Sequence, residues 1–158
     1  MFEALLLSLA ESAVASALRQ SVIGYPLLSA VHILGLALLV GSIVTLDLRL
    51  LNIIKRSRLS ELASLLSRVA AGGLMLAVLS GLLLFSVQPA HYLANNAFLL
   101  KLALISLALL NAAVVHSLTA WRALLAGQPA TLLLKVTAGI SMMLWLAILT
   151  SGRWIAFV

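Results

Sequence analysis

Residues 25–51 read YPLLSAVHILGLALLVGSIVTLDLRLL, an almost wholly apolar run that contains one histidine, His32, with Asp47 and Arg49 near its end. About 20 helical residues cross the hydrocarbon core of a bilayer, which is about 30 Å thick. Strands of a membrane barrel are short and alternate in polarity, whereas this run is long and continuous. The stretch therefore predicts a membrane-spanning helix.

The rest of the chain has the same character. Of its 158 residues, 64% are hydrophobic and only 9% are charged, and the mean hydropathy is +1.22. Soluble domains carry roughly 25% charged residues, so the composition predicts an integral membrane protein. The apolar runs indicate four spans, at about 25–51, 63–87, 97–120 and 130–151. The predicted fold class is all-α, an integral membrane four-helix bundle that forms a single transmembrane domain over residues 1–158.

Residues 1–20 differ from the spans because Glu3, Glu11 and Arg19 interrupt their apolar positions. Leucines and alanines recur there at helical spacing, which predicts an N-terminal amphipathic helix lying in the membrane interface. The alternative is a signal peptide, which would begin with a basic segment and precede a soluble chain. The sequence has neither feature, so we expect the helix to be retained.

Basic residues are concentrated in two connections. Seven of the ten lie in or beside the first and third connections: Arg49, Lys55, Arg56, Arg58, Arg68, Arg122 and Lys135. Because basic loops face the cytoplasm, the pattern predicts a multi-pass membrane protein with both termini outside. Aromatic residues are expected at both interfaces: Tyr25, Tyr92 and Trp154 at the outer one, and Trp121 at the inner one.

Small residues recur four apart on two spans. They are Ala63, Ser67, Ala71, Ala77 and Gly81 on the second span, and Ala108 and Ala112 on the third. Such spacing lets membrane helices approach closely. It predicts a compact bundle.

The composition also excludes several kinds of function. Cysteine is absent, which removes disulfides, thiolate metal sites and cysteine nucleophiles. No nucleophile–base–acid set or phosphate-binding loop occurs, so hydrolase and nucleotide chemistry are not expected. The net charge of +6 is explained by membrane topology, so the lipid bilayer, and not nucleic acid, is the predicted partner.

Ionisable residues inside the spans are few and fall into two layers. His32 and Asp47 lie 15 residues apart on the first span, and Lys101 and His116 lie 15 apart on the third. Fifteen helical residues rise about 22 Å. Both spans run from the outside inwards, so His32 and Lys101 are predicted to share an outer layer, and Asp47 and His116 an inner one. Charged groups at membrane depth often mark function.

The outer layer suggests a haem site. His32 is a candidate axial ligand for the iron of haem b, because helical bundles host haem between facing helices. Lys101 and Arg153 are candidate partners of the propionates. His91, in the outer connection, is a candidate second ligand, and a five-coordinate haem on His32 alone is equally open. Alternatively, His32 hydrogen-bonds within the bundle, Lys101 extends to the interface and His91 is a solvated loop residue.

The inner layer suggests proton handling. Asp47 could orient His116 and raise its basicity, or the two could relay protons as a second site. Alternatively, Asp47 only neutralises Arg49 or Arg68 near the interface. His116 is too far along the helix to share one iron with His32.

Three family resemblances follow from these residues. The run Tyr25-Pro26, His32, Gly35, Gly41 and Asp47 resembles an uncharacterised family of small four-span bacterial inner-membrane proteins, over essentially the whole chain. The segment from Phe98 to Lys101, followed by Asn111, is more distantly similar to the membrane domain of copper-resistance-D-type proteins, which implies copper handling. A histidine on the first span with a lysine and a histidine on the third resembles the four-span haem-containing protoporphyrinogen oxidases. That resemblance implies a haem ligand at His32 and a functional cation at Lys101.

Three functions are consistent with these patterns. The leading one is a b-type haem protein for electron transfer or porphyrin- or quinone-linked redox chemistry, and thus a membrane oxidoreductase, with a quinone or a redox protein as partner at the outer face. The second is copper or small-solute transport through His32, His91 and the methionines. The third is a structural accessory subunit of a membrane complex. Because four short helices offer little interior for a haem, a homodimer is a further alternative.

Overall fold

The computed structural model describes residues 2–54 and 59–157, with the side chains of residues 2–5 and 156 left out. Every regular element in these ranges is helical. The elements are α1 (Phe2–Ala10), α2 (Ala13–Gln20), α3 (Gly24–Leu50), α4 (Leu59–Val87), α5 (Pro89–Ala94), α6 (Asn96–Ser117), α7 (Thr119–Leu125), α8 (Leu132–Trp154) and a 3-10 turn (Ile155–Phe157). Helices α3, α4, α6 and α8 are long and apolar enough to cross a membrane. The predicted all-α bundle of four spans is confirmed.

The observed spans depart most from the predicted bounds at three ends, the start of α4, the end of α6 and the end of α8, which reaches Trp154 instead of 151. Helix α4 begins at Leu59, one turn earlier than the predicted start at 63, because a helix can continue beyond the hydrocarbon core. Helix α6 ends at Ser117 instead of 120, since Leu118 adopts an extended backbone with ψ 140° and a new helix, α7, follows. The connections before α6 and α8 thus carry short helices of their own.

The N-terminal segment is two helices where the sequence predicted one. The chain turns at Glu11 and Ser12, and the Ser12 hydroxyl caps α2 by accepting a hydrogen bond from the Ala15 amide at 3.3 Å. The Arg19 guanidinium donates a hydrogen bond back to the Ala10 carbonyl. Ala15 is fully buried, and both helices contact α4, so the segment packs against the end of the bundle that carries α5. We name this the α5 end, and the opposite end the α7 end.

The four spans form an open arrangement in the order α4, α3, α8, α6. Helix α3 packs along α4 over most of its length, and α8 packs on both α6 and α3. Within the described chain, α4 and α6 have almost no backbone contact. A gap therefore separates α4 from α6, and it is bridged at the α5 end by the stacked rings of Phe85 and Phe98, whose centroids are 5.8 Å apart.

Glycines set the separation of α3 and α4. A Cβ added at Gly73 would lie 2.6 Å from the Leu39 backbone nitrogen, and one added at Gly35 would lie 2.7 Å from the Ala77 nitrogen. Such distances are shorter than any van der Waals contact, so a larger residue would have to push the helices apart. In lipid, where no hydrophobic effect drives helices together, this close packing is a main source of association.

Two helices at the α7 end finish in the same capped turn. At the end of α3, Asn52 has φ 62°, and the Ile53 amide donates to the Leu48 carbonyl at 3.0 Å. At the end of α7, Gly127 has φ 90°, and the Gln128 amide donates to the Ala123 carbonyl at 3.0 Å. These bonds provide donors for backbone carbonyls of the last helical turn, which have no hydrogen-bond partner within the helix.

The predicted topology depends partly on residues that the structure does not place. Lys55, Arg56 and Arg58 lie outside the described residues. Trp121, which the sequence predicted at the inner interface, lies at the α7 end, where it is 4% exposed and packs with Leu50 and Leu124. The reason is α7 itself, which turns back against the bundle after Leu118.

A pair of adjacent glycines tests the α3–α4 contact. We expect Gly73→Ala to destabilise the protein by about 1–3 kcal/mol, because the added methyl group meets the α3 backbone. Gly72→Ala is the matched control, since a Cβ there meets nothing within 4 Å, and its stability should stay within about 1 kcal/mol of wild type. Unfolding titrations with SDS in bicelles measure both. Equal effects of the two substitutions would contradict the glycine contact.

Candidate functional site

His32 lies on α3 and faces α4. Its Nδ1 is 2.9 Å from the Ala77 carbonyl oxygen and 3.1 Å from the Ser80 hydroxyl. That hydroxyl donates its own proton to the Leu76 carbonyl at 2.6 Å. Because a carbonyl only accepts hydrogen bonds, Nδ1 of His32 is the protonated nitrogen and donates to α4. In the neutral imidazole, Nε2 is therefore left with the free lone pair.

The imidazole of His32 fits against α4 because residue 81 is a glycine and has no side chain. A Cβ added at Gly81 would lie 3.0 Å from Cε1 of His32 and 3.4 Å from its Nδ1. The ring is thus fixed by hydrogen bonds on one edge and by close packing on α4. The predicted small residue at position 81 serves the histidine as well as the helix contact.

Lys101 comes towards His32 from α6. The two side chains are close enough for their charges to interact, and Cε and Nζ of Lys101 lie 3.5 Å from the Cβ position of Gly152 on α8. Lys101 is half-buried. Among the residues that the structure describes, none accepts a hydrogen bond from its ammonium group. His32 and Lys101 are thus within electrostatic range of each other, and their role in one site stays a prediction.

The other two residues assigned to the outer layer have different surroundings. Arg153 is exposed, and its guanidinium lies 5.0 Å from the centroid of the Phe157 ring. His91 is exposed on α5 and lines a recess together with Leu7 and Arg19 from the N-terminal helices. The structure therefore brings Lys101 to His32 and places His91 against the N-terminal segment.

An aromatic cluster covers the α5 end above His32 and Lys101. Tyr92 packs beside the stacked rings of Phe85 and Phe98, with ring centroids 6.2 and 5.3 Å away. Burial raises the pKa of Tyr92 to about 12, and its hydrogen bond with Tyr25 and the charge of Tyr25 contribute to this rise. Phe98 precedes Lys101 by one helical turn, so the cluster lies between the lysine and the end of the bundle.

A cavity of about 250 Å³ occupies the half of the bundle nearer the α7 end. Helices α3, α4, α6 and α8 enclose it, and the gap between α4 and α6 is its open side. Most of its wall is apolar. The polar residues in the wall are Ser42, Asp47, Ser67, Asn111, His116, Thr137 and Ser141, and the indoles of Trp121 and Trp145 complete it.

Asp47 is the acidic group of this cavity. Its side chain is only 5% exposed, and it accepts a hydrogen bond from the Ser141 hydroxyl on α8. Its second oxygen, Oδ2, has no partner among the described residues, and the same holds for the buried hydroxyl of Ser67. Arg68 is exposed, and Arg49 donates to the Ile54 carbonyl at 2.9 Å, so neither arginine occupies the position of a counter-ion to Asp47 in the described chain.

His116 lines the same cavity. Its Nδ1 is 2.8 Å from the Ala112 carbonyl oxygen of its own helix, and its ring is 4.8 Å from that of Trp121. As with His32, this leaves Nε2 as the free nitrogen of the neutral ring. Asp47 and His116, predicted to share an inner layer, thus share one cavity, and the carboxylate bonds to Ser141 instead of to the imidazole.

The sequence analysis missed the hydroxyl residues of the cavity. Thr137 and Ser141 lie four apart on α8, which is the helical spacing that places two residues on one face. Their spacing and the position of Ser67 were the available signal. Asn111, whose amide donates to the Thr137 carbonyl at 3.2 Å, joins α6 to α8 beside them.

Metal ligands are sparse in the described chain. No group of three or more histidine, aspartate or glutamate side chains that could hold a metal ion occurs there. Met143, one of the thioethers considered for copper, is 66% exposed on the outside of α8.

Four membrane-spanning helices, a histidine–lysine pair at one end and a cavity at the other define a multi-pass α-helical membrane protein. The chain belongs to the family of unknown function DUF6644, whose sequence profile matches residues 20–158. This agrees with the resemblance to an uncharacterised family. No curated protein and no solved structure matches the chain, and nothing in the comparisons supports the resemblances to copper-resistance-D-type proteins or to protoporphyrinogen oxidases.

The two tyrosines of the chain allow a test of the aromatic cluster. In Tyr25→Phe, the absorbance of the Tyr92 phenolate should appear with a midpoint below 12, because two of the causes of its raised pKa are removed. The midpoint should remain above about 10, the ordinary value, because burial, the largest cause, remains. The unfolded state loses the Tyr92 proton first, so wild-type stability should fall as the pH rises above about 10. A midpoint near 10 in the folded variant would contradict this account.

Proposed function

We propose that the protein is a b-type haem-binding protein of the bacterial inner membrane, with Nε2 of His32 as the axial ligand of the iron. Its role would be electron transfer to or from the quinone pool, or oxidation of a porphyrin-like substrate. The observation that carries the proposal is the hydrogen bond from Nδ1 of His32 to the Ala77 carbonyl. It commits one ring nitrogen to the protein and leaves the other for a metal.

This arrangement suits axial ligation for two physical reasons. A ligating histidine commonly donates its second ring N–H to a carbonyl or carboxylate, which fixes the tautomer and makes the ligating nitrogen more basic. Gly81 faces the ring so closely that an added Cβ would lie 3.0 Å from its Cε1, which leaves the ring little room to move towards α4. A histidine that served only to join α3 to α4 would need the Nδ1 bond, but it would gain nothing from a free Nε2.

Lys101 supports the same proposal. An ammonium group at membrane depth costs a few kcal/mol unless it is paired, and no described residue pairs with it. A haem propionate would supply the missing charge and hydrogen bonds. Arg153 follows Gly152, which faces Lys101, and would provide a second cation at the same end of α8.

The surroundings of His91 favour five-coordinate iron over two histidine ligands. His91 lies with Arg19 in the recess beside the N-terminal helices, so it would have to leave that recess to reach a metal on His32. Iron with a single protein ligand keeps one coordination position open for a substrate. That would suit an oxidoreductase better than a simple electron carrier.

A visible spectrum of the purified protein, before and after reduction with dithionite, tests the haem proposal. Protein expressed with ample haem should show a Soret band that His32→Ala abolishes. His116→Ala is the matched control and should keep the band, because the residue lies in the cavity towards the α7 end. His91→Ala should also keep it if the iron is five-coordinate.

The opposite results are equally clear. A flat spectrum from haem-replete wild type would reject the proposal and favour copper or solute transport, or an accessory role in a membrane complex. A Soret band that survives His32→Ala would move the haem to another ligand. Loss of the band in His91→Ala would instead indicate two histidine ligands.

The proposed orientation places both termini outside the cytoplasm, with the 51–58 connection and α7 inside. Alkaline phosphatase, which folds only outside the cytoplasm, should therefore be active when fused to the C terminus. The same enzyme fused after Gly127, in the connection between α7 and α8, should be inactive. The reverse pattern of activities would overturn the orientation and leave the fold unchanged.

A further inference from the structure

The cavity near the α7 end contains polar atoms that the described chain does not satisfy. Oδ2 of Asp47 and Oγ of Ser67 are both buried, belong to residues that line the cavity, and have no hydrogen-bond partner among the described residues. Buried polar groups in proteins almost always have partners. A partner supplied from outside the chain is therefore expected at this place.

The shape of the cavity indicates where that partner comes from. Two indoles and many aliphatic side chains form the wall, and the open side is the gap between α4 and α6. Ala71 and Leu109, both exposed, lie at the edge of this gap. Because the gap separates two membrane-spanning helices, it faces hydrocarbon, and a molecule enters it from the bilayer.

We infer that the cavity binds a neutral amphiphile that carries a hydroxyl group, drawn from the surrounding lipid, with the hydroxyl on Asp47 and the apolar body against Trp121 and Trp145. A hydroxyl both donates and accepts a hydrogen bond, so it satisfies Oδ2 of Asp47 whether the carboxyl group is ionised or protonated. An ether or a hydrocarbon lacks the donor. The ligand is neutral because it reaches the site through hydrocarbon.

Two lipid-borne classes share this chemistry, and His116 distinguishes them. An isoprenoid alcohol has one hydroxyl group, whereas a quinol has two on opposite sides of a ring. The free Nε2 of His116 can accept a hydrogen bond from the second hydroxyl, because Nδ1 is already bonded to Ala112. A quinol therefore uses two polar groups of the cavity, and an alcohol uses one.

This site is independent of the proposed haem site. It lies towards the α7 end and involves neither His32 nor Lys101. Failure of the haem proposal would appear as a missing Soret band, and failure of the present inference would appear as missing ligand binding. Neither result predicts the other.

Tryptophan emission and thermal unfolding provide the test. The chain has three tryptophans, of which Trp121 and Trp145 line the cavity and Trp154 is exposed at the far end of α8. In a Trp154→Phe background, emission comes from the cavity wall alone. The probes are decylubiquinol, farnesol and farnesyl methyl ether, each titrated into the protein in nanodiscs.

We expect both hydroxyl compounds to change the emission saturably and to raise the unfolding temperature, as a ligand of the folded state does. At a pH at which Asp47 is ionised, the methyl ether should bind at least about tenfold more weakly than farnesol, because it cannot donate to the carboxylate. Asp47→Leu should weaken both hydroxyl compounds by a similar factor. Decylubiquinol binding more tightly than farnesol would identify a quinol site, and equal affinities would identify a general site for lipid alcohols.

A neighbouring pair of alanines supplies the matched control. Ala112 lines the cavity, whereas Ala113 is exposed and does not. Ala112→Leu should abolish the effect of both hydroxyl probes, and Ala113→Leu should bind as the parent does. This pair carries the test if Asp47→Leu fails to fold. Equal binding of ether and alcohol, or unchanged binding in Ala112→Leu, would overturn the inference.

Discussion

The contact between α3 and α4 at Gly35 and Gly73 is the constraint on which the rest of the structure depends. A membrane bundle has no hydrophobic effect to draw its helices together, so backbone proximity and interhelical hydrogen bonds must do so. Here the two backbones meet without intervening side chains. Only at that separation can the imidazole of His32 reach the Ala77 carbonyl on the next helix.

The same contact determines what happens on the other side of the bundle. Helix α4 packs mainly on α3 and, among the described residues, has almost no backbone contact with α6. Helix α6 packs on α8, and α8 in turn packs on α3. The bond from Asn111 to the Thr137 carbonyl strengthens that second pair of helices. The bundle is thus two tight pairs joined through α3 and α8, and the polar cavity lies where the pairs diverge.

Helical geometry explains why much of this could be predicted from the sequence. Span number and helix type follow from the lengths of apolar runs, and rise per residue is nearly constant. Counting 15 residues on two spans that run the same way was therefore enough to place His32 with Lys101 and Asp47 with His116. The family resemblance added nothing to that placement.

Other features depend on contacts that a linear pattern does not contain. The cavity exists because α4 and α6 do not pack against each other there. The spacing of residues within either helix does not indicate this. Trp121 is buried because α7 folds back after Leu118, and a tryptophan near a span end otherwise indicates an interface. The direction of the Arg153 side chain depends on Phe157 in the following turn. The position of Arg153 at the end of α8 in the sequence does not predict this direction.

The gap between α4 and α6 determines which ligand concentration sets the occupancy of the cavity. A pocket that opens to water fills according to the dissolved concentration of its ligand, whereas a pocket that opens towards lipid would fill according to the mole fraction of its ligand in the membrane. Partitioning into the membrane is then the first step of recognition, and compounds that stay in water are rejected before any side chain meets them. Occupancy would follow changes in membrane composition directly.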